Sequence, residues 1–420
     1  MRKGKLISAF LVLVLLFAMC SCSNKSNNDL KLQSNNKTQI ESQINSSKYT
    51  LDYVESFSEG YAWVHVTENE IGEGKNACID ENGKIKFILD DIVANSKEKK
   101  EFMSGYSVVI DSEDVNYILS SDGKIIASSS DGNFDNVVAY GGGYFAVVDY
   151  VNDFHTVEYV ASILDSNGDY VIKDWIKSDA QIQISYSGDG IFNYLSVDGY
   201  YENDYKCYNA KTKEAFDINQ CRWSGVFSNQ KTVIYHYFDN YYELIDSSGN
   251  TKKLDTDHIS IVSDKDDNMI FDNALVYEKD ESLYLYDISS GKTSSFYPCG
   301  NGIRVEIVGY ENGVFCLNIR GKNNSNAKGN WFVLVDQKGN NLFDPIEGEV
   351  MSYSCERIIT KDRKVYDLNG KSIEIPKDYE IANSFNNNLL RVKSPDYNYA
   401  GYDDYMDNNG NLIFPNRNIE

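Results

Sequence analysis

The 420-residue sequence is short of histidine (4), tryptophan (4) and proline (5), and short of positive charge, with 40 Lys and Arg against 63 Asp and Glu. Each shortage excludes something. A formal net charge of −23 repels phosphate backbones and anionic lipid. No basic patch with interleaved aromatics offsets it, so nucleic acid is not an expected partner. The histidines, His65, His155, His236 and His258, form no HExxH pair, and no CxxC pair exists, so no metal is expected. GxSxG, a P-loop and GxGxxG are all absent, which removes the nucleophile elbow and the common phosphate loops; no cofactor is expected. Gly141-Gly142-Gly143 lies between two strand-like segments and reads as their connector. The acidic turns at Asp165 and Asp407 place Tyr170 and Leu412 where a calcium loop needs glycine, and Ile176 and Asn418 where it needs the closing acid. Both read as hairpin turns.

Long apolar runs are also missing, with one exception. Leu6 to Met19 is almost unbroken hydrophobic sequence behind Arg2, Lys3 and Lys5, and it is too short for an ordinary spanning helix. Residues 1–21 are therefore expected to be a lipoprotein signal peptide. Cys22 is the expected lipidation site because Ser21 before it is small, whereas Cys20 follows bulky Met19. A diacylglycerol group supplies the two acyl chains that stable anchoring needs. The expected location is the outer face of a Gram-positive-type membrane. Losing residues 1–21 removes three positive charges and makes the rest more acidic still. Residues 22–48 are rich in Asn, Ser, Gln and Lys, too polar to offset chain entropy, and read as a disordered tether.

What remains, residues 49–420, is rich in Tyr (32) and Phe (19), a composition that favours strands. One tight turn recurs: Asp80-Glu-Asn-Gly83, Ser120-Ser-Asp-Gly123, Asp165-Ser-Asn-Gly168, Asp246-Ser-Ser-Gly249, Asp287-Ile-Ser-Ser-Gly291, Asp336-Gln-Lys-Gly339, Asp367-Leu-Asn-Gly370 and Asp407-Asn-Asn-Gly410. A degenerate version follows Tyr208. The spacing is mostly near forty residues, and Asn-Gly or Ser-Gly steps supply the positive φ that hairpins need. Apolar stretches flank each turn, as in Ala77-Cys78-Ile79 and Ile85-Lys86-Phe87-Ile88, with a further strand about twenty residues upstream, such as Tyr61 to Val66. Four short strands per forty residues is the rhythm of a propeller blade, and one such unit must stack on neighbours to bury both faces. The expected fold is all-β: four-stranded antiparallel units in a β-propeller-like array of about eight or nine blades, with an open β-solenoid of the same units as the alternative. The unit around Tyr208, with the poorest turn, is the one most open to miscounting. Six cysteines fall in this region at irregular spacing, several inside apolar strands, and read as buried free thiols.

The first unit resembles the bacterial WG (KWG) repeat. Phe57-Ser58-Glu59-Gly60-Tyr61-Ala62-Trp63-Val64 matches that family's F-S-E-G-x-A-x-V opening, and Ile79-Asp80-Glu81-Asn82-Gly83-Lys84 matches its hairpin. Trp331 to Gly339 keeps a second copy of the hairpin half, although no Trp-Gly step occurs in the chain. The resemblance implies a binding or surface repeat protein with no shared catalytic residues.

The expected ligand contacts are clustered tyrosines: Tyr200, Tyr201, Tyr205, Tyr237 and Tyr241. Tyrosine offers large, rigid contact area at low entropic cost. The function expected is non-catalytic binding or scaffolding, with an extracellular protein, peptide or glycan as partner. An extracellular propeller hydrolase acting on glycans is the alternative and requires two or three acids converging on the axis. A spacer or assembly role would instead show a broad aromatic patch on one rim.

Overall fold

Apolar residues alternate with a period of two in segments too short for helices, and turn residues interrupt them every few positions. The computed structural model follows that pattern. It describes residues 48–419, except 90–95, 154–155, 224–225, 255–259, 265–267, 300–301, 323–327, 378, 394–402 and 415–417. The expected signal peptide, Cys22 and nearly all of the tether lie outside the described residues. Among those described, the only helix is one 3-10 turn, Ser129–Asp131; all other regular structure is antiparallel β.

The strands fall into nine consecutive units. Unit 1 comprises Tyr49–Val54, Tyr61–Glu68, Glu73–Asp80 and Ile85–Ile88. Unit 2 runs from Ser96–Lys99 to Ile125–Ser128, and unit 3 from Asn136–Gly141 to Tyr170–Ser178. Unit 4 comprises Ile184–Tyr186, Ile191–Val197, Asn203–Asn209 and Glu214–Trp223. Unit 5 begins on the end of that last strand, where Arg222 and Trp223 pair with Tyr235 and Ile234, and continues through Lys231–His236, Tyr241–Asp246 and Thr251–Lys253. Units 4 and 5 thus share a strand and form one seven-stranded sheet, giving eight hydrogen-bonded sheets for nine units. Unit 6 runs from Ser260–Val262 to Thr293–Pro298, unit 7 from Ile303–Glu311 to Ile346–Glu347, and unit 8 from Val350–Ser354 to Ser372–Ile373. Unit 9 holds Glu380–Asn386, Leu389–Lys393 and Asp403–Asp407.

The unit around Tyr208 is therefore a full member of the array. Its turn keeps the geometry with other residues: Asn209 Oδ1 accepts the amides of Lys211 and Thr212 at 3.0 and 3.2 Å. Asp80 does the same for Asn82 and Lys84 at 3.0 and 3.1 Å, a pattern repeated at Asp165, Asp246, Asp336, Asp367 and Asp407. A side-chain oxygen that mimics a backbone carbonyl is what the turn requires, and Asn supplies it as well as Asp.

Both faces of each unit are covered. In the second strand of unit 1, Ala62, Val64 and Val66 enter a core shared with unit 9, while Trp63 between them enters one shared with unit 2. Nine such cores occur among the described residues, each joining consecutive units. An open stack would have one joint fewer than units. Here the ninth joint packs Leu389, Tyr405 and Phe414 of unit 9 against Tyr49, Leu51, Val54 and Phe57 of unit 1. The rings of Phe57 and Tyr405 meet edge to face at 4.5 Å. Asn383 Nδ2 donates to Ser56 Oγ at 2.5 Å, and the Tyr405 hydroxyl donates to the Glu55 carbonyl. The short strand Asn418–Ile419 adds to the free edge of the first strand, opposite Thr50 and Tyr49. The array returns on itself although no single sheet closes, so the open solenoid does not describe it. Nine units exceed the four to eight blades usual for propellers.

First strands of neighbouring units pack on one another, as for units 3 and 4, 7 and 8, and 8 and 9. They form the narrow side of the ring. Antiparallel order then fixes two rims. One, the turn rim, carries the first-to-second and third-to-fourth strand turns; the other, the hairpin rim, carries the second-to-third hairpins and the links between units.

Candidate ligand-binding surface

Large apolar side chains exposed to solvent concentrate on the hairpin rim. Ile71, Tyr150, Val151, Val197, Tyr200, Tyr201, Tyr237 and Phe238 all lie at or beside second-to-third hairpins. The densest group sits on units 4 and 5, where the shared strand holds two hairpins close together.

The hairpin of unit 4 turns at 198–202 and that of unit 5 at 237–240. Gly199 is required in the first: a Cβ there would lie 1.9 Å from the Glu202 carbonyl oxygen, and its amide donates to Asn203 Oδ1 at 3.0 Å. This tight loop throws Tyr200 outward, 88% exposed. Tyr201 stacks face to face on Tyr237 of unit 5, with ring centroids 4.8 Å apart and planes 5° from parallel. Tyr200 meets Tyr201 edge-on at 4.5 Å, and Phe238, 70% exposed, meets it at 5.8 Å. Arg222, on the shared strand, lies over the Tyr237 ring at 4.9 Å and donates through Nε to the Tyr201 carbonyl at 3.0 Å. The Phe238 amide donates to Glu202 Oε1 at 3.1 Å, which ties one hairpin to the other. Tyr201 and Tyr237 are thereby held together by stacking, by backbone and by one cation, with Tyr200 and Phe238 edge-on beside them.

Of the five tyrosines expected from sequence, Tyr200, Tyr201 and Tyr237 come together in this patch. Tyr205 turns inward beneath it, edge-on to Trp223 at 5.1 Å, and burial pushes its phenol up. Tyr241 belongs to a separate stack, on the His236 ring at 4.4 Å with Lys253 Nζ 4.2 Å from its ring centroid. His236 bridges the Gln220 carbonyl and Glu243 Oε2 at 3.0 and 3.2 Å. Phe238 and Arg222 are members that sequence spacing did not single out; Phe238 immediately follows the Tyr235-x-Tyr237 run, which was the available signal.

Among the described residues, no group of three or more His, Cys, Asp or Glu is arranged to hold a metal. Several acids on or beside the first strands pair with cations or hydroxyls. Asp52 Oδ2 lies 3.0 Å from His65 Nδ1 and accepts Thr67 Oγ1 at 2.6 Å. Glu55 lies 3.4 Å from Lys99, and burial holds its carboxyl above the usual range. Glu306 and Glu349 share Arg320 at 3.0 and 2.7 Å.

No family model matches the chain, and neither does any curated protein. Solved structures similar to it include BamB from Moraxella catarrhalis, 11% identical over 71% of this chain and 93% of that one, with a TM-score of 0.35. The β-propeller domain of the Trilobed protease from Pyrococcus furiosus is 9% identical over 86% and 99%, at TM-score 0.32. Dipeptidyl peptidase 4 from Porphyromonas gingivalis is 10% identical over 93% of this chain, at TM-score 0.36; the chain spans 55% of that peptidase's length.

Proposed function

We propose that this protein is a non-catalytic binding or scaffolding array, exported and held by a lipid at Cys22 on the outer membrane face. The observation that carries the reading is the aromatic patch of Tyr200, Tyr201, Tyr237 and Phe238 on the hairpin rim, and a ring patch on one rim rather than a pocket favours its scaffolding side. Scattered exposed apolar residues are ordinary, but a contiguous ring cluster fixed by an arginine has the make-up of an interaction hot spot. The WG-like opening of unit 1 supports the same class of role. So does the engagement of Asp52, Glu55, Glu306 and Glu349, on or beside the inner strands, with His65, Lys99 and Arg320, where a glycan hydrolase would need acids converging on a substrate. The partner fitting the patch is an extracellular protein, peptide or glycan with apolar or ring surface to offer.

A photo-crosslinking residue at position 200, used on intact cells, tests this. Adducts should appear when the other three rings are intact, glycan-array signals with the wild-type protein, and both should vanish when Tyr201→Ala/Phe238→Ser is introduced at unchanged melting temperature. Equal signals from both proteins, or none from either, count against the proposal.

A further inference from the structure

The opposite rim holds a feature that the aromatic patch does not explain. Between units 2, 3 and 4 the turns border a half-open cleft of about 510 Å3. Tyr106, Tyr144 and Tyr170 line it, Ser166 adds a hydroxyl, and Gly142-Gly143 bring bare backbone to its surface. The glycine connector thus has a second consequence beyond joining two strands. Lys211 and Lys213 also line it, neither in an ion pair among the described residues, on a chain whose charge is −23. The acid in the lining, Asp165, directs Oδ1 into its own turn, accepting the amides of Asn167 and Asp169 at 2.8 and 3.2 Å.

Lys213 is placed there against local preference. Its φ is +62°, and its amide donates to the Asn209 carbonyl at 2.8 Å. The matching position in unit 6 is Gly291, with φ +66° and an amide bonded to the Asp287 carbonyl at 2.9 Å. The third-to-fourth turns of units 1, 2, 3, 5, 7 and 8, and the turn after the third strand of unit 9, also carry glycine at positive φ. A side chain in this region is strained relative to glycine, and strain retained at one copy of a repeat points to a use for that side chain.

We propose that this cleft binds a sugar acid, its carboxylate taken by Lys211 and Lys213 and its ring lying among the tyrosines. Lysine ammonium groups give charge-assisted hydrogen bonds to carboxylate. Tyrosine walls and a serine hydroxyl suit the apolar faces and hydroxyls of a pyranose. The volume matches one or two sugar rings. The site lies on the other rim from the aromatic patch and stands independently of it.

Calorimetric titration of the full-length protein with digalacturonate, cellobiose and inorganic phosphate, at physiological salt, tests the assignment. Digalacturonate should bind and cellobiose should bind far more weakly. Lys211→Ala and Lys213→Gly should each weaken digalacturonate about tenfold. Lys213→Gly relieves backbone strain, so its melting temperature should hold or rise, which separates lost binding from lost folding. Undiminished affinity in Lys213→Gly, no digalacturonate binding, or phosphate binding as tightly as digalacturonate would overturn the proposal, the last by showing a bare anion site.

Discussion

At the scale of single residues, burial sets the chemistry of the thiols and phenols. Five of the six described cysteines are buried, Cys355 is partly so, and all six are unpaired. Burial pushes the Cys78 and Cys221 thiols up to about 12 from an ordinary 9.0. Burial together with a hydrogen bond to Asp272 pushes the Tyr310 phenol from 10.0 to about 12. The unfolded chain therefore releases these protons first as pH rises. It binds fewer protons than the folded chain above pH 9, and the slope of stability against pH is negative there. Urea midpoints should be level with respect to these groups up to about pH 8.5 and fall progressively towards pH 11. A midpoint unchanged across that range would show that these groups titrate alike in both states. The free thiols were legible in the sequence because they sit inside apolar strand runs. The composition of the aromatic patch was legible only in part. Tyr200, Tyr201 and Tyr237 announce themselves by density, whereas Arg222 joins them only because one strand serves two units.

At the scale of elements, two kinds of turn differ in how openly they are written. The third-to-fourth turns use a local side-chain oxygen on the chain's own amides, so the residue type is constrained and the repeat is visible. The first-to-second turns need only positive φ at two successive residues, which Glu59-Gly60, Ser104-Gly105, Asn229-Gln230, Cys355-Glu356 and Asn387-Asn388 all adopt. Glycine stands second in some, as at Gly60, Gly105, Gly143, Gly190 and Gly313, but the first position varies and units 5, 8 and 9 use other pairs, so the trace in the sequence is weaker. Several of these turns, including Asp189-Gly190 of unit 4, nevertheless share a function, because a side chain of one caps the next. Glu59 Oε2 accepts the Gly105 amide at 2.9 Å, Ser104 Oγ the Gly142 amide at 2.7 Å, Asp189 Oδ2 the Gln230 amide at 2.5 Å, and Cys355 Sγ the Asn388 amide at 3.4 Å. Glu59→Ala should cost about 0.5–1 kcal/mol, as these groups are exposed, and should speed hydrogen exchange at the Gly105 amide. Exchange at Gly105 equal to wild type would mean that the cap contributes nothing.

At the scale of the whole molecule, nine joints for nine units make the assembly a loop of neighbours without end units. The forty-residue rhythm disclosed the units, but not the return of the last upon the first, which depends on summed rotation over the ring. In an open array, a change at the terminal joint frays two units; in a ring it loads every joint. Tyr405, 1% exposed, fills the joint between units 9 and 1. Tyr405→Ala should cost about 3–5 kcal/mol, and hydrogen exchange should accelerate in units 4 and 5 as well as in 1 and 9. Protection lost only beside the joint would show that the ends meet without bearing load. The pairing of Tyr49 with Ile419 also brings the first and last strands of the repeat array to one place. A gene joined head to tail there, and reopened in the hairpin at Asp280 and Glu281, encodes the same ring with its chain ends relocated to the far side. Circular permutation of this kind would turn the fold's start and stop into a design variable.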